Sequence, residues 1–328
     1  MILRIFLLLL LALPSAVLAA PKHLLIVGQS PDGHPPTTHE FMAGARLLQK
    51  LLAPFSDEVE TTVVKADEPW PEGPGLIDAA DGIALFVTQG GRWMQTDPAR
   101  YAALKRLAER KGGIAAFHWS VGAYDPQFIP GQVALLGGSR GGPQRKYKVL
   151  DNDVHLSVAE RAHPVLRGLS DFHINDEFYY HLDLAAPSPA FHPLLTTPID
   201  GNEEVIGWAV DRADGGRSFG YVGMHFHSNW ARPEYRRLAV QAALWTLGLP
   251  IPEAGAAVEV DPKDLELPPA PEAKPPGEKG EPAGGKWRVS DSVIPEAEPG
   301  SRLVCGLAHT REKLATRPDA RWRCICYA

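Results

Sequence analysis

The stretch HINDEFYYH, residues 173–181, has polar side chains at every second position, as a strand with one chemically active face would. The residues on that face are His173, Asn175, Glu177, Tyr179 and His181. The opposite face is apolar except for Asp176, which we expect to make a structural hydrogen bond. A carboxylate flanked by histidines and a tyrosine suits proton transfer or metal binding.

Histidines also stand at the ends of two other apolar runs. IAAFH ends at His118, and YVGMHFH places His225 and His227 on one face of a predicted strand. A buried imidazole is costly unless it is hydrogen-bonded, so each histidine is either a satisfied structural residue or part of a site. Ligands of open α/β sheets bind at the carboxyl ends of the strands, where we expect these histidines to meet.

Two histidines and one carboxylate can hold a divalent metal and leave positions open for substrate or water. Glu177 with two of the histidines at the strand ends could therefore hold a divalent metal such as zinc. Metal-free proton transfer, with Glu177 as base and a histidine as acid, fits the spacing equally well. The residues predicted to bind substrate are His39, Gln89, Trp119, Tyr179 and His225.

Several other chemistries are disfavoured by the sequence. No cysteine occurs between residues 20 and 304, so the main domain has no thiol nucleophile. Ser120 lies in HWSVG, which lacks the G-x-S-x-G frame of a serine nucleophile, and the glycine-rich LLGGSRGGPQRK lacks the pattern of a phosphate-binding loop. With a net charge of −6 and no basic cluster interleaved with aromatic residues, a nucleic-acid partner is not expected.

Strands and helices must alternate to position these residues. Apolar runs ending in glycine or histidine over residues 23–28, 82–91 and 114–118 predict buried parallel strands. Between the last two, residues 97–112 predict a helix that Asp97 caps. This alternation indicates an α/β fold with a parallel sheet covered by helices.

Both ends of the chain differ in composition from the middle. Residues 1–19 combine Arg4, an apolar run and small residues, which predicts a cleaved signal peptide, with an uncleaved membrane anchor as the alternative. We therefore expect an exported protein, periplasmic or secreted, with no stable membrane span after cleavage. Residues 252–286 are rich in proline and glycine and predict a disordered or extended linker. Residues 287–328 form a short extension that contains Cys305, Cys324 and Cys326.

The segments GGIAAFHWSVGA, HPVLRGLSDFHINDEFYYH and GGRSFGYVGMHFHSNW together resemble the ThuA-like, or trehalose-utilisation, family over about residues 22–251. This resemblance implies a class I glutamine amidotransferase-like fold: a flavodoxin-like three-layer sandwich with a central, mostly parallel sheet. Amidotransferases carry a cysteine at the turn after one strand. Here that turn reads FHWSVG, so amidotransferase activity is not expected.

The resemblance also implies a small-molecule carbohydrate as the substrate, related to trehalose or to keto-sugars. His118, Glu177 and His227 match positions that are polar in this family, so the resemblance also implies that they form the catalytic centre and are the ligands of a divalent metal such as zinc. We therefore expect an enzyme of carbohydrate metabolism with hydrolase, lyase or isomerase chemistry. The alternative is a non-catalytic carbohydrate-binding or scaffold module on the same fold, which the missing nucleophile and the proline-rich segment would also suit. The sequence sets no expectation for the oligomeric state.

Overall fold

Apolar runs of five to seven residues form the centre of the computed structural model, which describes residues 20–267. The strands in these residues are β1 (Lys22–Gly28), β2 (Val59–Lys65), β3 (Gly82–Phe86), β4 (Gly113–Phe117), β5 (Gly138–Ser139), β6 (Lys146–Leu156), β7 (Phe172–Tyr180), β8 (Asp183–Leu184), β9 (Phe191–Ile199), β10 (Asn202–Asp211) and β11 (Arg217–Tyr221). The helices are α1 (Phe41–Leu52), α2 (Gly73–Ala79), α3 (Gly90–Thr96), α4 (Pro98–Glu109), α5 (Ile129–Leu136) and α6 (Pro233–Thr246). The predicted signal peptide and the cysteine-containing extension lie outside the described residues.

Nine strands form one sheet in the order β2-β1-β3-β4-β11-β10-β9-β6-β7. The first five are parallel to one another, and their order is that of a flavodoxin-like, doubly wound sheet. Helices α1 and α6 pack on one face of this part, and α2, α4 and α5 lie on the other side. The predicted α/β class, with three layers around a parallel central sheet, is confirmed.

The other half of the sheet is antiparallel, which the sequence did not predict. β10 pairs with β11 and β9, and only the last two residues of β6 pair with β9. Residues 146–154 of β6 pair instead with β7, so that β6 and β7 form an antiparallel pair that extends beyond the sheet. This pair, called the β6–β7 arm below, carries the HINDEFYYH stretch.

Helix α4 begins as the sequence predicted. Asp97 accepts hydrogen bonds from the backbone N–H groups of Ala99 and Arg100, at 2.8 and 3.2 Å, and Pro98 occupies the first turn. These bonds satisfy donors that a helix start would otherwise leave unpaired. Helix α6 is followed by Gly248 in the left-handed conformation, with φ of 74°, which is typical of a glycine that ends a helix.

Residues 252–267, the part of the predicted linker that is described, pack against the domain. Ala256 and Val258 are buried, and Arg236 of α6 donates a 2.7 Å hydrogen bond to the carbonyl of Val258. This segment is mostly irregular, with one short 3-10 turn over Pro262–Leu265. Within the described residues, no helix has the length and apolar character needed to cross a membrane.

Candidate metal centre

The polar side chains converge where the parallel strands end. His39 lies in the segment after β1, Thr88 follows β3, His118 follows β4 directly, and His225 follows β11. β1 and β3 are neighbours whose connections leave on opposite sides of the sheet, which is the position where open α/β sheets form a ligand-binding crevice. The prediction that His118 and His225 lie at strand ends is therefore consistent with the topology.

His118 occupies the sharp turn after β4. Its φ is 50°, a left-handed conformation that is uncommon for a residue with a side chain, and the residue is 3% exposed. The Nδ1 atom lies 2.8 Å from the carbonyl oxygen of Val222, to which it donates a hydrogen bond. This bond leaves Nε2 as the ring atom that faces the crevice.

His39 is oriented by Asp32 in a similar way. Its Nδ1 atom lies 2.8 Å from Oδ2 of Asp32, which also accepts hydrogen bonds from Thr88 and, at Oδ1, from His34. Although burial favours the neutral acid, these bonds hold the pKa of Asp32 well below its ordinary value. Asp32 is therefore a carboxylate that fixes the tautomer of His39 and turns its Nε2 toward His118.

Four side chains meet at the centre of the crevice. Ligand atoms of His39, His118, Glu177 and His225 all lie within 4.8 Å of one another. His118 Nε2 is 2.9 Å from His39 Nε2 and 3.0 Å from His225 Nδ1, while Glu177 Oε1 lies 3.9 Å from those atoms of His118 and His225. These four residues are called the His/Glu cluster below.

The hydrogen bonds around the cluster leave lone pairs facing one another. Because His39 and His118 both donate from Nδ1, their neutral rings carry unprotonated Nε2 atoms, and these are 2.9 Å apart. Burial lowers the pKa of both rings; His39 and His225 lower that of His118 further, whereas Asp32 opposes the effect of burial on His39. Burial likewise lowers the pKa of His225 to about 4. Neutral imidazoles with converging lone pairs are what a divalent cation requires.

The donor set fits a borderline divalent metal. Imidazole nitrogens bind zinc at about 2.0–2.1 Å, so nitrogens that share one tetrahedral ion lie about 3.3 Å apart. The observed separations of 2.9 and 3.0 Å are near this value. The second nitrogens of His39 and His118 are held by a carboxylate and a carbonyl, the usual outer partners of metal-bound histidine.

Glu177 reaches the cluster from the β6–β7 arm. Its side chain is 12% exposed, and burial raises its pKa, an effect that the positive charge of Arg140 opposes. On the same face, the Tyr179 hydroxyl lies 3.0 Å from His118 Nε2. The face of HINDEFYYH predicted to be active does face the crevice at Glu177 and Tyr179, whereas His173 and Asn175 are exposed.

Asp176 lies on the opposite, buried face of β7 and supports the cluster from behind. It accepts hydrogen bonds from the backbone N–H groups of Glu177, Met224 and His225, at 2.9, 2.7 and 3.1 Å, and from the Tyr235 hydroxyl at 2.6 Å. Burial raises its pKa against the effect of these bonds. Asp176 thus makes structural hydrogen bonds that fix the backbone of two cluster residues.

His227 is not part of the cluster, in contrast to the predicted trio of ligands. Its Nε2 atom donates to the carbonyl of Leu265 at 3.1 Å, and its buried Nδ1 atom has no partner among the described residues. β11 ends at Tyr221, and Met224 has φ of 79°, so the alternation that would put His225 and His227 on one face does not hold. His227 instead lines a small cavity beside His39 and His118.

The predicted substrate-binding residues divide into two groups. His39 and His225 are in the His/Glu cluster, and Tyr179 touches it. Trp119 is buried beneath Arg140, with the guanidinium carbon 4.6 Å from its ring centre. Gln89 is half-buried at the start of α3, and its amide oxygen accepts a 3.3 Å hydrogen bond from the backbone of Tyr124.

Ser120 is buried, and its hydroxyl exchanges hydrogen bonds of 2.7 and 3.1 Å with the backbone of Val87, which makes it a structural residue.

Asp32 was not among the predicted site residues. Its spacing in DGHPPTTH, two and seven residues before His34 and His39, is the sequence signal that could have revealed it.

Comparison with known proteins places the chain in a family. Residues 33–246 match the family described as ThuA, trehalose utilisation. The chain belongs to the ThuA family. The match covers the parallel strands other than β1, together with the β6–β7 arm, and all four residues of the His/Glu cluster lie within it. A search of curated proteins finds no match.

Solved structures of ThuA-like proteins share this fold. One from Bacteroides uniformis is 16% identical, with a TM-score of 0.52 over 71% of this chain and 95% of its own. Another, from Parabacteroides merdae, is 18% identical, with a TM-score of 0.52 over 76% of this chain and 100% of its own. These similarities confirm the predicted fold class, and the family match over residues 33–246 confirms the predicted family.

Proposed function

We propose that this ThuA-family protein is an exported enzyme of carbohydrate metabolism that works through a divalent metal. The metal is held by His39, His118 and His225, with Glu177 as the group that transfers a proton. The observation that carries the proposal is the convergence of three neutral imidazoles and one carboxylate within 4.8 Å at the ends of the parallel strands. Such a set of histidines with one carboxylate is typical of zinc sites.

Each residue has a task that follows from its contacts. Asp32 and the Val222 carbonyl hold the tautomers of His39 and His118, so that both Nε2 atoms present lone pairs. Glu177, whose pKa burial raises, is placed to take up and return a proton. The Tyr179 hydroxyl can donate to an oxygen bound beside His118. When bound, the metal would polarise a carbonyl or hydroxyl oxygen of the sugar.

The substrate class and the location rest on other observations. Membership of a family described as trehalose utilisation supports a sugar or keto-sugar substrate, on which the centre would act by hydrolysis, elimination or isomerisation. The apolar run and small residues at positions 1–19 support export to the periplasm or the medium. The proline-rich composition from residue 268 onward supports a linker to the C-terminal extension.

Metal analysis of the purified protein tests the proposal. We expect the wild-type chain to bind zinc or a similar ion, and we expect His118→Ala to bind it much more weakly, because the variant lacks the imidazole that lies between those of His39 and His225. Glu177→Gln should keep the metal and lose turnover of keto-sugars, since the three imidazoles stay in place. His173→Ala is the matched control, because His173 is exposed on the same strand as Glu177.

Two results would count against the enzyme. The proposed metal centre would be refuted if the wild-type chain bound no divalent metal, or if the His118→Ala variant bound the metal as tightly as the wild-type chain does. Sugar binding that persists in both cluster variants, without turnover of any sugar tested, would instead favour the non-catalytic binding module.

A further inference from the structure

Arg140 is a buried cation that the proposed mechanism does not use. It follows β5, and its backbone pairs with the turn after His118 through hydrogen bonds with Val121 and Ala123. The residue is 4% exposed, and its Nε atom has no hydrogen-bond partner among the described residues. A buried charge without a counter-ion is costly, so the position of Arg140 requires an explanation.

Aromatic rings surround the guanidinium instead of carboxylates. The ring centres of Trp119, Tyr124, Tyr147 and Tyr179 lie 4.6, 5.6, 5.4 and 4.5 Å from its central carbon. Such rings attract a cation through their faces, but they accept none of its N–H groups in the manner of an anion. No side-chain nitrogen of Arg140 has a hydrogen-bond partner among the described residues; Nε is fully buried, so the two terminal nitrogens are the ones that a ligand could reach.

This group borders the His/Glu cluster. The ring of Tyr179 contacts Arg140, and its hydroxyl lies 3.0 Å from His118 Nε2. The charge of Arg140 also acts on Glu177, whose pKa it lowers against the larger effect of burial. A molecule bound at the cluster would thus lie within the reach of Arg140.

The rings at the outer side of the group are exposed. Tyr124 and Tyr147 are 48% and 59% exposed, which is unusual for large aromatic residues. Exposed tyrosine rings beside a crevice offer flat apolar surface and a hydroxyl, both of which suit the faces of a sugar. The group therefore combines a surface for a sugar ring with a cation for a negative charge.

We propose that Arg140 binds the carboxylate of a sugar acid, such as a uronate, whose ring lies against Tyr124 and Tyr147. The planar guanidinium matches a carboxylate through two parallel hydrogen bonds, and one positive charge balances one negative charge. A phosphate dianion would call for more donors than this single guanidinium. The inference deepens the proposed function by naming the substrate class, and it depends on that function for the meaning of the adjoining cluster.

Calorimetric titration of the full-length protein with glucuronate and glucuronamide tests the assignment. The two ligands have nearly the same size, but only glucuronate carries a negative charge. We expect glucuronate to bind about tenfold or more tightly than glucuronamide or glucose. Equal binding of glucuronate and glucuronamide would overturn the proposal, as would tighter binding of glucose 6-phosphate than of glucuronate.

Variants locate the carboxylate. Arg140→Gln should remove the preference for glucuronate, and Arg140→Lys should weaken it, because an ammonium lacks the planar pair of donors. Arg145→Gln is the matched control: Arg145 also lies over Tyr124, at 4.9 Å, but it donates to the Gly142 carbonyl. A preference that survives in a folded Arg140→Gln variant would overturn the proposal. If that variant does not fold, the comparison of the two ligands on the wild-type chain still decides.

The metal content of each preparation separates this inference from the proposed function. A chain without metal that still prefers glucuronate through Arg140 would refute the metal enzyme and support the carboxylate site. A chain that holds metal and turns over neutral sugars, without a preference for glucuronate, would support the enzyme and refute the carboxylate site.

Discussion

At the scale of single residues, the orientation of the imidazoles matters as much as their presence. Asp32 does not face the centre of the His/Glu cluster, yet it holds His39 by a 2.8 Å hydrogen bond and is itself kept charged by His34 and Thr88. Such outer partners fix which ring nitrogen carries the proton. The metal affinity of the site should therefore depend on Asp32.

Replacing Asp32 by Asn tests this dependence. We expect Asp32→Asn to lower zinc affinity by about 10- to 100-fold, because an amide neither fixes the His39 tautomer nor supplies the negative charge. Competition with a chelator measures the change. Asp67→Asn, which alters a carboxylate bonded to Ser30 near the same loop, is the control and should change the affinity little. Equal affinities in the two variants would contradict the assigned role of Asp32.

The sequence predicted part of this residue set, for identifiable reasons. His118 is predicted because it directly follows an apolar run, and Glu177 because it lies on the polar face of a strand with a period of two; the two side chains lie 3.9 Å apart. His227 was placed in the centre and His225 in the pocket because the pattern was extended past Tyr221, where the strand ends. Asp32 was not predicted because it lies in an irregular loop, and the path of such a loop does not follow from a repeating pattern of polar and apolar residues.

At the scale of elements, the site joins two parts of the fold. β4 and β7 are separated by five steps in the sheet, which in a flat sheet would be about 24 Å. His118 and Glu177 nevertheless lie within 3.9 Å, because the β6–β7 arm departs from the sheet and returns over the strand ends. Topology of this kind could not be predicted from the alternation of strands and helices in the first half of the chain.

The contacts that anchor the arm should therefore affect turnover. Thr197 of β9 is buried; its hydroxyl donates to the Asp153 carbonyl at 2.7 Å and accepts from the Asn152 amide at 3.0 Å. We expect Thr197→Val to lower the free energy of unfolding by about 1–3 kcal/mol, because both partners lose a hydrogen bond.

The same variant should reduce turnover more than metal content, because Glu177 lies on the arm while His39 and His118 follow the parallel strands. Metal analysis beside steady-state kinetics checks this. Thr196→Val, at the neighbouring half-buried position, is the control and should leave both quantities nearly unchanged. Loss of metal in step with turnover would show that the arm does not act through Glu177 alone.

At the scale of the whole molecule, buried neutral histidines make stability depend on pH. Burial, with a further effect of His192, lowers the pKa of His163 from 6.5 to about 4, and its Nδ1 atom accepts a hydrogen bond from the Val165 N–H. Between these two pH values the unfolded chain binds a proton that the folded chain does not. The contribution of neutral His163 to the free energy of unfolding is therefore fully present above about pH 6.5 and is lost as the pH is lowered toward 4.

A shift of this size corresponds to at most about 3 kcal/mol. Urea unfolding at pH 7 and pH 4.5, in the presence of a chelator, should show the loss, and His163→Asn should reduce it, because an amide can accept the same bond without titrating. His155→Asn, on β6 and 40% exposed at its side chain, is the control. A loss of equal size in His163→Asn and in the wild-type chain would exclude His163 as its source.

The hydrogen bonds of Asp176 have a consequence for how the crevice can change shape. The carboxylate of Asp176 accepts hydrogen bonds from the backbone N–H groups of both Glu177 and His225. It therefore connects these two cluster residues, although they belong to distant parts of the chain. A shift of the arm would carry both groups together and preserve their mutual spacing. His118 and His39, which follow the parallel strands, would keep their positions. The crevice would therefore open between these two residues on one side and Glu177 with His225 on the other, and the distance between Glu177 and His225 would not change.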